Sequence, residues 1–509
     1  MSANYLNKNI NRHVGFILSG LVTLSVAVLY LTIAPTRLTN ANFGGDGGDL
    51  LAAILTRGIP HPTGYPTYTL LGILYQYLPF STPVFRAVLG SLIPSAIGAG
   101  LLTAWVIYLT GSKSATYLSA AVLTGIAWGI SPLVFSQAVI VEVHGLQSLI
   151  MVLVLWWTIL NLQIGTGSSR KWLYVLSFLI GLGCGNHLTI VLLAPVALLA
   201  LIYAFRHTGS CKLVITQLSL MLAGMLVYAY LPLRAQVYPP INWGNPQTWS
   251  GFFWQVTANP YRGLVFNAQT PILWERIRSI ASLLLDQFGI LGLIAGAIGV
   301  IQYEFMIKWL RLVLVYIFII YFAFAIGYGS QDSVGYLIPA VMVFAIWIGL
   351  ALPSLWNLRW KQIPVGILLI GILAISICLQ IPGTRLRLDP RSQDQPAQFA
   401  EQLLQDAPAN SIVNTTTDGD TFPLWYYHFG LGERPDLRIV VLPLTQFVWY
   451  QQTLVHTYSD LEFPTVYSED QPNMDWGRQI QILNPELAVC DTRMSAESET
   501  GVAYECNSQ

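Results

Sequence analysis

The sequence predicts a mainly α-helical, polytopic membrane protein that ends in a small soluble α/β domain. Three observations predict it. Of 509 residues, 54% are hydrophobic and only 10% are charged, far from the composition of soluble domains. Apolar stretches of about 20 residues recur, the length a helix needs to cross roughly 30 Å of hydrocarbon, and the backbone must be helical there because lipid offers it no hydrogen bonds. The acidic residues gather at one end: positions 381–509 hold 18 of the 25 acidic residues and no lysine.

In chain order, spans are expected over 14–34, 87–109, 115–138, 145–163, 172–186, 188–205, 213–231, 287–307, 312–328, 336–352 and 364–380, about eleven in all. The fifth and sixth are short enough to form one tilted or broken hairpin. Residues 64–80, aromatic and bounded by prolines, suit a helix lying at the interface. The first run is too long for the apolar core of a signal peptide and no small-residue cleavage site follows it, so it reads as a retained helix. Residues 1–380 are thus the bundle and 381–509 the tail, where Gln395 to Asp406 is helix-like and Ser411 to Thr415 and Leu437 to Leu442 are strand-like.

Basic residues collect in short cytoplasmic loops. With the N-terminus inside, Lys8, Arg12, Lys113, Arg170, Lys171, Arg206, Lys212, Lys308, Arg311, Arg359 and Lys361 all fall inside. Counting 64–80 as a span would scatter them. The tail is therefore expected in the periplasm, a lumen or the exterior, with no basic surface for a nucleic acid. Cys184, Cys211 and Cys378 lie in or beside apolar spans and read as small hydrophobes. Cys490 and Cys506 share the tail and can pair in an oxidising compartment, though sequence does not supply the geometry.

The outside basic residues of the bundle are all arginine: Arg37, Arg57, Arg86, Arg234, Arg262, Arg276 and Arg278. A planar guanidinium suits phosphate oxygens. The bland alternative, snorkelling to headgroups, fits Arg276 and Arg278, which sit in an amphipathic stretch. Arg234 and Arg262 stand in an aromatic, proline-rich loop whose rings suit either an interfacial belt or a stacked sugar.

The first outside loop, from Asn42 to Pro66, carries Asp46 and Asp49 among glycines that let a ligand approach the backbone. Helix capping is the bland role for such a pair, preferred for Asp49, while a chemical role is preferred for Asp46. His61 and Tyr65 lie among Pro60, Pro62 and Pro66 in a rigid segment. Glu142 is the sole acidic residue between Asp49 and Glu275, costly near a membrane without a partner, and His144 follows it. His187, at the turn between the fifth and sixth spans, is a lone helix-end histidine, more often a satisfied cap than a ligand. Gln331 and Asp332 are further polar candidates. Phosphate-loop, zinc-protease and nucleophile-elbow motifs are absent.

The stretches GDGGDLLAAILTRGIPHPTGYPTYTLLG, SQAVIVEVHGLQSL, GLGCGNHLTIVLLAP, YLPLRAQVYPPINWGNPQTW and DGDTFPLWYYHFGLGERPDLRIVVL resemble a family of polytopic glycosyltransferases, formerly a domain of unknown function, that includes animal protein O-mannosyltransferases. The resemblance implies a GT-C bundle with an acidic residue in its first outside loop and a polyprenyl-phosphate-linked sugar donor. Asp46 matches the family's first acidic position, Asp49 stands where glutamate is common, and His61 and Tyr65 match its histidine-proline-glycine-tyrosine segment. Thr63 replaces a usual second proline, and His144 stands where tyrosine is frequent.

The expected activity is inverting transfer of a sugar, mannose among the candidates, from a polyprenyl phosphate to a hydroxyl of a protein or glycan acceptor. Asp46 would be the base, and Asp49, His61, Tyr65, Glu142, His144, His187, Arg234 and Arg262 would bind donor or acceptor. No cofactor is required by the sequence, and a divalent metal stays open. A transporter or flippase of lipid-linked sugars is the alternative, weakened by the lack of an internal repeat and by the scarcity of acidic residues within spans.

Overall fold

A computed structural model describes residues 2–111, 114–164, 170–267, 270–301, 308–330, 332–356, 358–359, 363, 365–465, 467, 474–495, 498 and 500–507. Lys113, Lys361 and Gln331 lie outside these, as does the side chain of Asp332. Among the described residues nine helices are long and apolar enough to cross a membrane. A tenth span arises if Ala115–Gly129 and Pro132–Ala138, bent by 59°, are one. The helix Arg170–Cys184, the expected fifth span, has 15 residues and is short for a crossing of about 30 Å. The stretch 64–80 forms a helix of only 11 residues, Pro66–Gln76. The chain is a multi-pass integral membrane protein.

The bundle packs through small residues. The helices Arg170–Cys184 and Cys211–Met225 cross where an added Cβ on Gly181 would lie 2.1 Å from the Met221 carbonyl oxygen, the close backbone approach that replaces hydrophobic drive inside a bilayer. Thr270–Ile301 is one helix with a break at Gly289 (φ 65°), so the expected span beginning at 287 has an amphipathic first half that is also helical. The last span runs on to Leu388.

The tail begins with the helix Gln395–Asp406 and holds strands β1 (Ile412–Thr415), β2 (Arg438–Val441), β3 (Val489–Met494) and β4 (Val502–Asn507) in the order β2-β1-β3-β4. β1 is parallel to β2 and β3, and β4 closes the sheet antiparallel to β3. Cys490 and Cys506 face each other across β3 and β4 and are disulfide-bonded.

Bundle and tail share one continuous buried core. Arg37 beside the first span holds Asp394 at 2.7 Å and Glu401 at 2.6 Å. Asn42 Nδ2 donates to the Leu388 carbonyl at 2.9 Å, and Tyr238 stacks on His456 at 3.7 Å between ring centroids. A close backbone contact sets Gly48, in the helix Gly47–Thr56 of the first loop, against the tail helix Asp418–Trp425. A Cβ on Gly48 would lie 2.4 Å from the Phe422 carbonyl oxygen. Gly48→Ala therefore forces the two helices apart, with an overpacking cost of about 1–3 kcal/mol. The expected result is a lower thermal midpoint and faster proteolysis of the tail; an unchanged digestion pattern would show that the contact is not what docks it.

Candidate functional site

The first loop turns through Asn42 (φ 57°) and Phe43 (φ 64°), left-handed conformations that Asn tolerates and a bulky Phe rarely adopts, and the Gln137 amide holds the Asn42 carbonyl at 3.0 Å. This turn places Asp46 at the N-cap of Gly47–Thr56, but its side chain makes no capping bond. Asp49, in the first turn, does not cap either. Its carboxylate is fully buried and accepts three hydrogen bonds: from the His61 backbone N–H (2.9 Å), from His61 Nδ1 (2.7 Å) and from Trp243 Nε1 (3.1 Å). The expectation of a capping Asp49 is thus corrected: a helix-end carboxylate in an interior has to find buried donors, and these come from two later segments.

Those segments are brought in by backbone pairing. Ile59 N–H donates to the Ile241 carbonyl at 2.8 Å, Trp243 N–H donates to the Ile59 carbonyl at 3.2 Å, and Gln255 Nε2 holds the Pro60 carbonyl at 2.7 Å. His61 consequently lies between two acids, Nδ1 on Asp49 and Nε2 3.5 Å from Asp46. Burial opposes its charge, but Asp46, the bond to Asp49 and the field of Glu142 outweigh that and raise it from 6.5 to about 10. His61 is an imidazolium at neutral pH. Tyr65 hydroxyl lies 3.2 Å from His61 Nε2.

Asp46, His61 and Tyr65 line a cavity of about 420 Å³ together with His187, Tyr261, Arg262, Tyr328, Tyr336 and Asp418. Its other wall is apolar, made by Leu188, Val191, Leu192, Leu264, Val265 and Phe324. A small polar annex of about 50 Å³ adds Gln137, Glu142 and His144. His187 both caps and lines: its Nδ1 accepts from the Thr189 N–H at 3.3 Å, while burial and the neighbouring His144 and His61 push it well below its ordinary value, so it is a neutral ring. Burial and Asp46 push Tyr261 well above the usual phenol range, so it stays a hydroxyl donor.

Of the arginines expected outside, Arg262 lines the cavity, its Nη2 2.5 Å from Thr257 Oγ1. Arg234 does not line it. Its Nε donates to the Arg57 carbonyl at 2.6 Å, because Arg57 ends Gly47–Thr56 in a left-handed conformation and its carbonyl needs a donor. Arg276, expected to snorkel, instead donates to the carbonyls of Ile326 (3.2 Å), Tyr328 and Ser330 (3.0 Å). It closes the C-terminal end of Lys308–Gly327 and so holds part of the cavity wall.

Sequence reasoning missed Asp418 and Tyr261. Tyr261 precedes Arg262 in the same loop. Asp418 opens the tail helix, whose start is fixed by a capping box between Thr417 and Asp420. That pattern announces a helix start and says nothing of which cavity the helix meets.

A family model described as the Protein O-mannosyl-transferase TMEM260 N-terminal domain matches residues 46–210, and one described as TMEM260-associated domain 2 matches 396–499. Together they span just over half of the chain, and each covers residues of the cavity. The chain belongs to the TMEM260 family. It is 25% identical over 479 residues to the Protein O-mannosyl-transferase TMEM260 of Mus musculus, covering 87% of this chain and 65% of that protein. With the Dictyostelium discoideum relative of the same description it shares 23% over 469 residues, covering 83% of this chain and 57% of that one. The chain thus spans less than two thirds of the length of these TMEM260 relatives. ArnT from Cupriavidus metallidurans, solved bound to undecaprenyl phosphate, superposes with a TM-score of 0.59 at 14% identity over 93% of this chain and 92% of its own. Its apo form gives 0.51. The fold of this TMEM260-family chain is accordingly that of the GT-C membrane enzymes.

The buried pair yields a stability prediction. Breaking one partner of a buried ion pair typically costs about 3–5 kcal/mol, against about 1 kcal/mol for a lost cap. Asp49→Asn should therefore lower thermal stability by the larger amount; a loss on the capping scale would refute the pairing. The His61 value is raised, so its contribution is complete below the unfolded value near 6.5 and is lost as pH climbs through about 10. The melting temperature should accordingly fall from pH 7 to pH 10, and less steeply in Asp49→Asn.

Proposed function

We propose that the protein is an inverting glycosyltransferase that moves a sugar from a polyprenyl phosphate to a hydroxyl acceptor outside the cytoplasm. The observation that carries this reading is a single cavity with two kinds of wall. One side is apolar, formed by residues at the ends of two membrane helices and by Leu264 and Val265 of a connecting loop, and is suited to a lipid chain; the other joins a carboxylate, Asp46, to a guanidinium, Arg262. A soluble sugar nucleotide would not need the first wall.

The acceptor oxygen attacks the anomeric carbon while Asp46 takes the hydroxyl proton. The bond from that carbon to the phosphate oxygen breaks, and its electron pair leaves with the polyprenyl phosphate. Arg262 and the hydroxyl of Tyr261 hold the departing charge. His61, fixed by Asp49, sets the position of the Asp46 carboxylate, and His187, Tyr65, Glu142 and His144 present polar atoms for sugar hydroxyls. The steps use the chain's own residues; among the described residues no group of three or more His, Cys, Asp or Glu side chains is arranged to hold a metal ion. Mannose as the sugar and protein as the acceptor follow the description of the mouse relative.

The test is to incubate the purified protein with a panel of radiolabelled polyprenyl-phosphate sugars. Asp46→Asn should lower turnover by about 10² to 10⁴-fold with donor binding retained. Arg262→Lys keeps the charge but loses the fork and should raise donor KM, while Arg234→Lys should not. Equal effects of the two arginine changes would remove Arg262 from the site. A wild type that carries lipid-linked sugar across vesicles without transferring it would return the flippase reading.

Two grounds support a tail outside the cytoplasm. With the N-terminus inside, the expected spans put the lysines in inner loops, and the Cys490–Cys506 bond suits an oxidising compartment. In cells, these two cysteines should resist maleimide until a reductant is added. Labelling without reduction would put the tail, and the cavity with it, on the other side.

A further inference from the structure

The cavity receives a side chain from the tail. Asp418 is the first residue of Asp418–Trp425 and lines the same space as Asp46, His61 and Tyr261. Its position is held from both sides. Within the tail, Asp420 is fully buried and accepts from the N–H of Thr416 (3.0 Å), the N–H of Thr417 (2.7 Å) and the hydroxyl of Thr492. Across the boundary, Phe422 presses its carbonyl on Gly48 and its ring stacks on His61 at 6.4 Å between centroids. The loop and the tail thus fix two carboxyl groups, Asp46 and Asp418, around one cavity.

Resting on the glycosyltransferase reading, we propose that Asp418 is an acceptor-positioning residue: its carboxyl holds a hydroxyl-bearing peptide that enters from the aqueous side and turns the hydroxyl toward Asp46. The two walls argue for this division. A lipid-linked donor reaches the cavity past Leu188, Val191 and Val265, all contributed by the bundle. A soluble acceptor would come from the side of the soluble tail, and among the described lining residues Asp418 is the one the tail supplies. A carboxyl there accepts from a peptide N–H or hydroxyl, whereas beside the donor phosphate it would repel it. The charges of Asp46, His61, Asp49 and Asp420 act on Asp418, and Tyr261 senses its charge. Loss of water around it and the charge of Asp46 raise its carboxyl to about 6, against the pull of His61, so its hydrogen-bonding character changes near that pH.

The experiment uses the full chain in lipid nanodiscs, the radiolabelled polyprenyl-phosphate sugar that the wild type turns over, and a library of serine- and threonine-containing peptides. Glycopeptide and free sugar released to water are both counted. Loss of a hydrogen bond to a charged group corresponds to roughly 10- to 100-fold. Asp418→Asn should raise peptide KM by that factor, leave donor KM nearly unchanged and shift product from glycopeptide to free sugar. Asp418→Glu should recover part of the peptide affinity, and the change of wild-type peptide KM through about pH 6 should disappear in Asp418→Asn. An unchanged peptide KM, or a donor KM that rises equally, overturns the assignment, as does a wild type that releases free sugar yet glycosylates no peptide. A wild type that neither transfers nor hydrolyses any donor overturns the enzyme reading itself.

Discussion

The architecture of the site depends on one buried ion pair. Asp49 is completely enclosed, and an isolated carboxylate there would be prohibitively costly. Its three donors come from the 58–66 segment and from Trp243, nearly two hundred residues later. Satisfying that one charge therefore gathers the first loop, the proline-bounded segment and the loop after the seventh expected span at one place. A buried pair is weak as a net stabiliser compared with apolar packing, but here its partner also faces outward. His61 turns its second nitrogen to Asp46, so the charge that closes the interior also fixes the carboxylate at the cavity.

Around that pair the cavity has to satisfy two solvents. Its apolar wall comes from Leu188, Val191, Leu192 and Phe324, near the ends of two apolar helices, and from Leu264 and Val265 of a connecting loop, surroundings in which an alkyl chain is at no disadvantage. The polar wall is held by connections that spend backbone irregularity to aim side chains: left-handed Asn42 and Phe43, left-handed Tyr65, and left-handed Ala258 just before Tyr261. Such conformations persist only where surrounding contacts over-determine them. They coincide here with the segments that line the site.

The fold was legible because lipid imposes length. Most expected spans correspond to helices, and the acidic tail resolved into the helix Gln395–Asp406 at its expected bounds, since amphipathic period and strand composition are local properties. The fifth span was less clear because Arg170–Cys184 reaches its packing through Gly181 rather than through length. At the site, Asp46, His61, Tyr65, Glu142, His144, His187 and Arg262 were singled out and line the cavity or its annex. Asp49 and Arg234 were not legible as they stand. Each is satisfied by a partner that its own neighbourhood does not reveal, Trp243 for the first and the Arg57 carbonyl for the second. Charge type can be read from a sequence; the direction in which a guanidinium turns is decided by which carbonyl is left without a donor.

Asp418 extends that reasoning to the relation between the two domains. A tail tethered only by the chain would sample many orientations and could not hold a carboxyl within a cavity of this size. Here the ion pairs of Arg37, the stacked Tyr238 and His456, and the backbone contact at Gly48 hold three separate segments of the tail. The tail is therefore part of the cavity's wall, and the geometry that the proposed peptide acceptor would meet is set as much by the packing of Gly48 on Phe422 as by the side chains that would touch it.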